Sequence, residues 1–250
     1  MGEKINTNKW GELTRKPVNE WKKSGILYLS HRELTYLPVA VKEWKSLIEL
    51  NLDDNLLTNL PFEVKEWHNL EKLDLHNNKI INLPSSVGGW KNLQKLILSY
   101  NKLKNLPAEV GEWKKLNEFS LSYNQILSLP AEVGEWSLLT NLDLSKNSLT
   151  ILPPEVGGWK NIETLYLHEN RLLSLPSQVE EWNRLETLYL YGNELTNLPV
   201  EVKNWKNLKM LSLGYNKLVS LPEEVKEWGN LKKLYLAGNN FSQTERDKIK

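Results

Sequence analysis

An α/β repeat solenoid is the fold this sequence predicts, and three observations predict it. A 23-residue unit, LDLSKNSLTILPPEVGGWKNIET at residues 142–164, recurs ten times, with some copies degenerate. Asn147 keeps its phase as Asn55, Asn78, Asn101, Asn124, Asn170, Asn193, Asn216 and Asn239, with Arg32 in the first copy. Trp159 keeps its own as Trp21, Trp44, Trp67, Trp90, Trp113, Trp136, Trp182, Trp205 and Trp228. A fixed period of this length marks a stacked, quasi-one-dimensional architecture in which each unit buries its apolar edge against its neighbours.

Within each copy the elements follow in order. Leu142 and Leu144 flank a polar residue, the two-residue period of a half-buried strand. Ten such strands in register make a parallel sheet extending roughly 45–50 Å at ~4.8 Å per strand. Asn147 stands at the turn leaving the strand, where its amide is expected to bond backbone groups of the adjoining coil. Leu149 and Leu152 turn inward, and Pro153 is placed at the first position of a short helical turn. Val156, Trp159 and Ile162, spaced by three, give an α or 3₁₀ segment one inward face. Helical segments need more room side by side than strands, so the sheet lies inside the curve. The indoles fill the wider outer edge, each burying roughly 150–250 Å². Glutamates before the tryptophans and lysines after them form a solvated outer face.

The boundaries follow from the repeat. Residues 1–25 are an N-terminal tail and capping half-repeat, 26–241 the solenoid, and 242–250 the start of a C-terminal capping helix. Ser242-Gln243-Thr244-Glu245 has the spacing of a capping box.

Composition narrows the function. Thirty-two Lys plus Arg nearly cancel 31 Asp plus Glu, so no broad basic field favours nucleic acid or anionic membranes. No apolar run is long enough to span a bilayer, so no membrane insertion is expected, and MGEKINTNKW lacks the hydrophobic stretch of an export signal. The absence of cysteine excludes thiol catalysis, thiolate zinc sites and disulfide caps. No cofactor or metal site is expected. His31, His68, His76 and His168 lie on four different repeats and read as surface histidines.

Binding should lie where the repeat varies. Between the strand leucines the sequence runs Tyr28, Asn51, Asp74, Ile97, Ser120, Asp143, Tyr166, Tyr189, Ser212, Tyr235. Two residues further on it runs Ser30, Asp53, His76, Ser99, Ser122, Ser145, His168, Tyr191, Gly214, Ala237. These columns face the concave side and bring Tyr166, His168, Tyr189 and Tyr191 together, with Tyr215 and Tyr235 extending the region. Tyrosines offer large contact area at little rotamer entropy, so the cluster is the candidate partner-binding site; cross-strand aromatic packing is the plainer alternative. Glu49, Asp53, Asp54 and Asp74 form a secondary acidic patch, read first as solvated charge.

The pattern LxLxxNxLxxLPxEVxxWxxL resembles the leucine-rich repeat, specifically the 23-residue LPxEIGxLxNLxxL class of bacterial and Ras-suppressor-like proteins, with Trp where the family usually has Leu. The ending GNNFSQTERDKIK resembles the C-terminal segment of leptospiral leucine-rich repeat proteins. The resemblance implies a right-handed horseshoe that commonly recognises a protein partner on its concave face; a non-catalytic module is expected, its oligomeric state open with a monomer favoured. It further implies a secreted or surface bacterial protein meeting host or bacterial partners. An intracellular scaffold of the Ras-suppressor kind, cytoplasmic in location, is the alternative.

Overall fold

The computed structural model describes residues 23–249, with side chains through residue 247. The tail and the half-repeat expected to cap the stack at residues 10–21 lie outside the described residues. Among the described residues one parallel sheet holds ten three-residue strands in chain order. They are β1 (Ile26–Tyr28), β2 (Glu49–Asn51), β3 (Lys72–Asp74), β4 (Lys95–Ile97), β5 (Glu118–Ser120), β6 (Asn141–Asp143), β7 (Thr164–Tyr166), β8 (Thr187–Tyr189), β9 (Met210–Ser212) and β10 (Lys233–Tyr235). Register follows the period, so Leu142 pairs with Leu165 and Asp143 with Tyr166. The central residue of each strand, a leucine except for Phe119 in β5, points inward and is buried from β1 to β9. No helix among the described residues is long and apolar enough to cross a membrane.

The return segments are 3₁₀ turns of five residues, such as Pro154–Gly158, which decides between the α and 3₁₀ alternatives. The proline expectation needs a correction. Pro153 precedes the turn, with extended ψ of 152°, and does not occupy its first position. Its carbonyl accepts the Val156 N–H at 3.1 Å, so what the site requires is a fixed φ and an acceptor. Adjacent turns approach closely at Gly158, where a Cβ would stand 1.9 Å from the carbonyl oxygen of Gly134.

The tryptophans are core. From Trp67 to Trp205 they have 0% exposure, and Trp44 and Trp228 have 6%. Successive indoles stack at 5.9–6.4 Å and turn by 8–12°. A ring spacing of 6.1 Å exceeds the ~4.8 Å strand spacing, and a fan of 11° per repeat then puts the rings about 7 Å outside the sheet. That difference bends the stack around its sheet. From Trp67 to Trp228 each indole N–H also donates to a valine carbonyl of the preceding coil, as Trp159 does to Val133 at 2.8 Å. The indole thus fills space and ties turn to turn.

Asparagines perform the same service at the strand exit. The Asn147 Nδ2 donates to the carbonyls of Leu121, Leu144 and Ser145, and its Oδ1 accepts the Ile126 N–H at 2.9 Å. A second, outer asparagine row had no counterpart in the sequence argument. Asn69, Asn92, Asn161, Asn207 and Asn230 each donate to a carbonyl of the coil before. On the convex surface the predicted charge stripes pair across repeats, Lys45 with Glu66 at 3.6 Å and Lys114 with Glu135 at 3.5 Å. At the C-terminal end, Ser242 Oγ accepts the Glu245 N–H at 3.1 Å and caps α1 (Gln243–Ile249).

Candidate functional site

The register of β6 to β8 sets the aromatic cluster. Tyr166 and Tyr189 are paired residues of neighbouring strands, and their rings stack at 5.0 Å and 16°. Two residues on, His168 and Tyr191 stack at 4.7 Å and 14°. His168 also meets Tyr166 and Tyr189 edge-on, each at 6.1 Å. All four are half-buried. Burial pushes the His168 imidazole below its ordinary range, outweighing the pull of Asp143 and Glu169. A neutral ring packs against tyrosine at neutral pH without the desolvation cost of a cation. Its Nδ1 is buried and has no hydrogen-bond partner among the described residues. His76, also half-buried at the surface, places its Nδ1 2.9 Å from Ser99 Oγ.

The cluster ends at β8 because β9 presents only Ser212 and Gly214 in the two columns. Tyr235 lies beyond that gap on β10, half exposed. Tyr215 stands elsewhere, in the turn after β9, with φ of 53° and 72% exposure. It belongs to a third column, the residue before each asparagine, which the sequence argument did not use.

That third column extends the cluster toward the N-terminus. Tyr100 and Tyr123 stack at 4.0 Å, and His76 meets Tyr100 edge-on at 5.1 Å. Lys146 Nζ lies 4.5 Å over the Tyr123 ring and 3.3 Å from Glu169, which accepts the Tyr191 hydroxyl at 3.2 Å. The Tyr123 hydroxyl, and after it Glu169, push Lys146 up to about 12. A continuous ridge thus runs from His76 on the coil of β3 to the β7–β8 cluster. Its signal was present in the sequence, since large variable residues stand where a turn favours glycine.

Backbone strain marks the same column. Asp54, Asn77, Tyr100, Tyr123, Lys146, Glu169 and Tyr215 all have φ between 49° and 57°, while two repeats place Gly192 and Gly238 there. Side chains held in the left-handed region against an available glycine point to use rather than folding. Tyr123→Gly should keep or raise the thermal midpoint, because relief of strain offsets the lost ring contacts. A clear fall in midpoint would show that the ridge serves stability.

The acidic patch divides. Glu49 pairs with Lys72 at 3.5 Å and accepts the Tyr28 hydroxyl at 3.0 Å, so it stands apart from the aspartates. Burial pushes the Asp74 carboxyl up, and the nearby Asp53 adds to the shift. A side-chain bond from Asn77 holds Asp54 below the usual carboxylate range. His31 closes on both aspartates, its Nε2 3.4 Å from Asp54 and 4.0 Å from Asp53. These three could offer ligand atoms within 4.8 Å of one another, an arrangement common among exposed acidic groups without any ion.

Comparison with known proteins agrees with this geometry. A leucine rich repeat family model matches residues 68–126 and 183–241, and a second matches 138–159, together more than half the chain. No curated protein matches significantly. Among solved structures, Drosophila Toll in its glycosylated complex with Spatzle is 26% identical with a TM-score of 0.80, over 86% of this chain and 30% of that one. The plant peptide hormone receptor RGFR1 in complex with RGF2 is 29% identical with a TM-score of 0.73, over 86% of this chain and 40% of its own. A leucine-rich repeat protein of Leptospira interrogans is 28% identical over 89% of this chain and 80% of its own, with a TM-score of 0.47. The chain thus spans less than half the length of the Toll and RGFR1 chains.

Proposed function

The chain is a leucine-rich repeat protein, and from that premise we propose that it is a non-catalytic recognition module that binds a protein partner on its concave face through the aromatic cluster and its ridge. The observation that carries this reading is the placement of Tyr166, His168, Tyr189 and Tyr191 as one contiguous, half-exposed patch on a frame whose indoles from Trp44 to Trp228 are sealed inside. Half-buried tyrosines and a neutral histidine present area and hydroxyls already fixed by stacking, so little rotamer entropy is lost on binding. Two similar structures, Toll with Spatzle and RGFR1 with RGF2, are complexes and support recognition by this architecture. We place the chain in the 23-residue class of the family, and its partner among host or bacterial surface proteins met by a secreted or surface-held bacterial protein. The C-terminal resemblance supports that location, and fractionation of native cells tests it, recovery in the cytosol counting against it.

The binding test is a triple substitution. Tyr166→Ala, Tyr189→Ala and Tyr191→Ala together should weaken capture of the native partner at least about a hundredfold, the scale of hot-spot loss. Unfolding should remain cooperative because the indole and asparagine rows are untouched. Undiminished capture by the folded variant would remove the cluster from the binding surface.

A further inference from the structure

Resting on the concave-face reading, we propose that a depression between Ile97 and Tyr166 is an anchor site for one arginine side chain of the protein partner. The stacked pair determines its wall. Tyr189 covers one face of the Tyr166 ring, so the other face looks across β6 and β5 toward Ile97 on β4. Between these two walls β5 and β6 present Ser120 and Asp143 in the same column, with Glu118 and Asn141 at the edge, leaving a hollow of about 240 Å³. Ser120 supplies the shallow floor, since most neighbouring strands carry larger residues in its column.

The charge within the hollow selects the occupant. Lys95 and Glu118 at its rim neutralise each other at 2.6 Å. Asp143 has no cationic partner among the described residues; its Oδ1 accepts the Ser145 N–H at 2.9 Å and the Ser145 hydroxyl at 2.6 Å. That leaves a fixed carboxylate beside an open aromatic face. A guanidinium lies flat on such a face and forks to a carboxylate, whereas an ammonium does only the second. The aliphatic stem of the same side chain passes Ile97. A similar hollow beside Asp74 has no aromatic wall, so it lacks the combination.

The probe is N-acetyl-arginine amide, titrated into the isotopically labelled full chain and followed by amide chemical shifts. Saturable shifts at Ser120, Asp143 and Tyr166 are expected, with affinity about tenfold above that of the neutral citrulline analogue. Asp143→Asn, which keeps the acceptor for Ser145 and so the local fold, should abolish the difference. Equal binding of citrulline, shifts confined to other residues, or an unaltered preference in Asp143→Asn would overturn the anchor. Such a failure alongside partner loss in the tyrosine triple variant rejects the anchor alone, whereas partner retention by that variant rejects the concave-face reading beneath it.

Discussion

Trp136→Ala should destabilise the chain by about 5 kcal/mol, the largest single-residue effect the structure predicts. Trp136 has no exposed surface, stacks between Trp113 at 6.3 Å and Trp159 at 6.4 Å, and is met edge-on by Phe119 at 5.5 Å. Removing a buried indole costs about 3–5 kcal/mol through lost transfer and the cavity left behind. The Val110 carbonyl, which accepts its N–H at 2.9 Å, then keeps only the Trp113 backbone N–H at 3.1 Å. For a chain of this length the midpoint should fall by about 10–20 °C. Because repeats contact only their neighbours, the loss should also split the melt into two phases flanking the fifth and sixth coils. Trp136→Phe keeps a stacked ring and loses chiefly the hydrogen bond, about 1–2 kcal/mol. A fall of less than about 2 kcal/mol for the alanine variant would show that neighbouring coils close over the gap, contrary to the close packing of such interiors.

Asn147→Leu is the second large effect, at about 2–4 kcal/mol, because the buried Ile126 N–H loses its partner while the Leu121, Leu144 and Ser145 carbonyls each lose one of two donors, keeping Asn124, Asn170 and the Tyr123 N–H. Two amide hydrogens are shared among three carbonyls, and one oxygen takes the Ile126 N–H. This asymmetry fixes which way the amide points. It also makes Asn147→Asp a sharper test than its size suggests. The isosteric carboxylate would face three carbonyl oxygens, so it should be at least as damaging as leucine at neutral pH. Denaturant titration of both variants checks this, and a mild effect from the aspartate would mean the turn reorganises to supply new donors.

Much of the fold was legible because its determinants repeat every 23 residues. The strand leucines, the inward indoles and the asparagine turn each obey local rules, so one copy read correctly gives all of them. What escaped were contacts joining one copy to the next through a specific atom. The indole N–H reaches a valine 26 residues earlier, as from Trp159 to Val133, and the outer asparagines reach back 24, as from Asn161 to Ser137. Such contacts depend on the turn being 3₁₀ and on how far coils are offset, which periodicity leaves free. The placement of Pro153 erred for a related reason, since spacing cannot separate a residue that begins a turn from one that accepts its first hydrogen bond.

The candidate site was legible in its core and not at its margins. Tyr166, His168, Tyr189 and Tyr191 follow from strand alternation and register alone. Tyr100, Tyr123, Lys146 and Glu169 lie where the chain leaves the strand, and alternation does not apply in the left-handed backbone there. Tyr215 belongs to this turn column and not to the strand columns that alternation reads. His31 meets Asp53 and Asp54 across one repeat, a pairing that depends on side-chain reach.

The most direct measurement is amide hydrogen exchange of the full chain with and without its captured partner. The concave-face account predicts slowed exchange at residues 141–146, 164–169 and 187–192, with the 3₁₀ turns, such as Pro154–Gly158, unchanged. Protection confined to those turns, with the tyrosine strands exchanging as they do in the free chain, would contradict it.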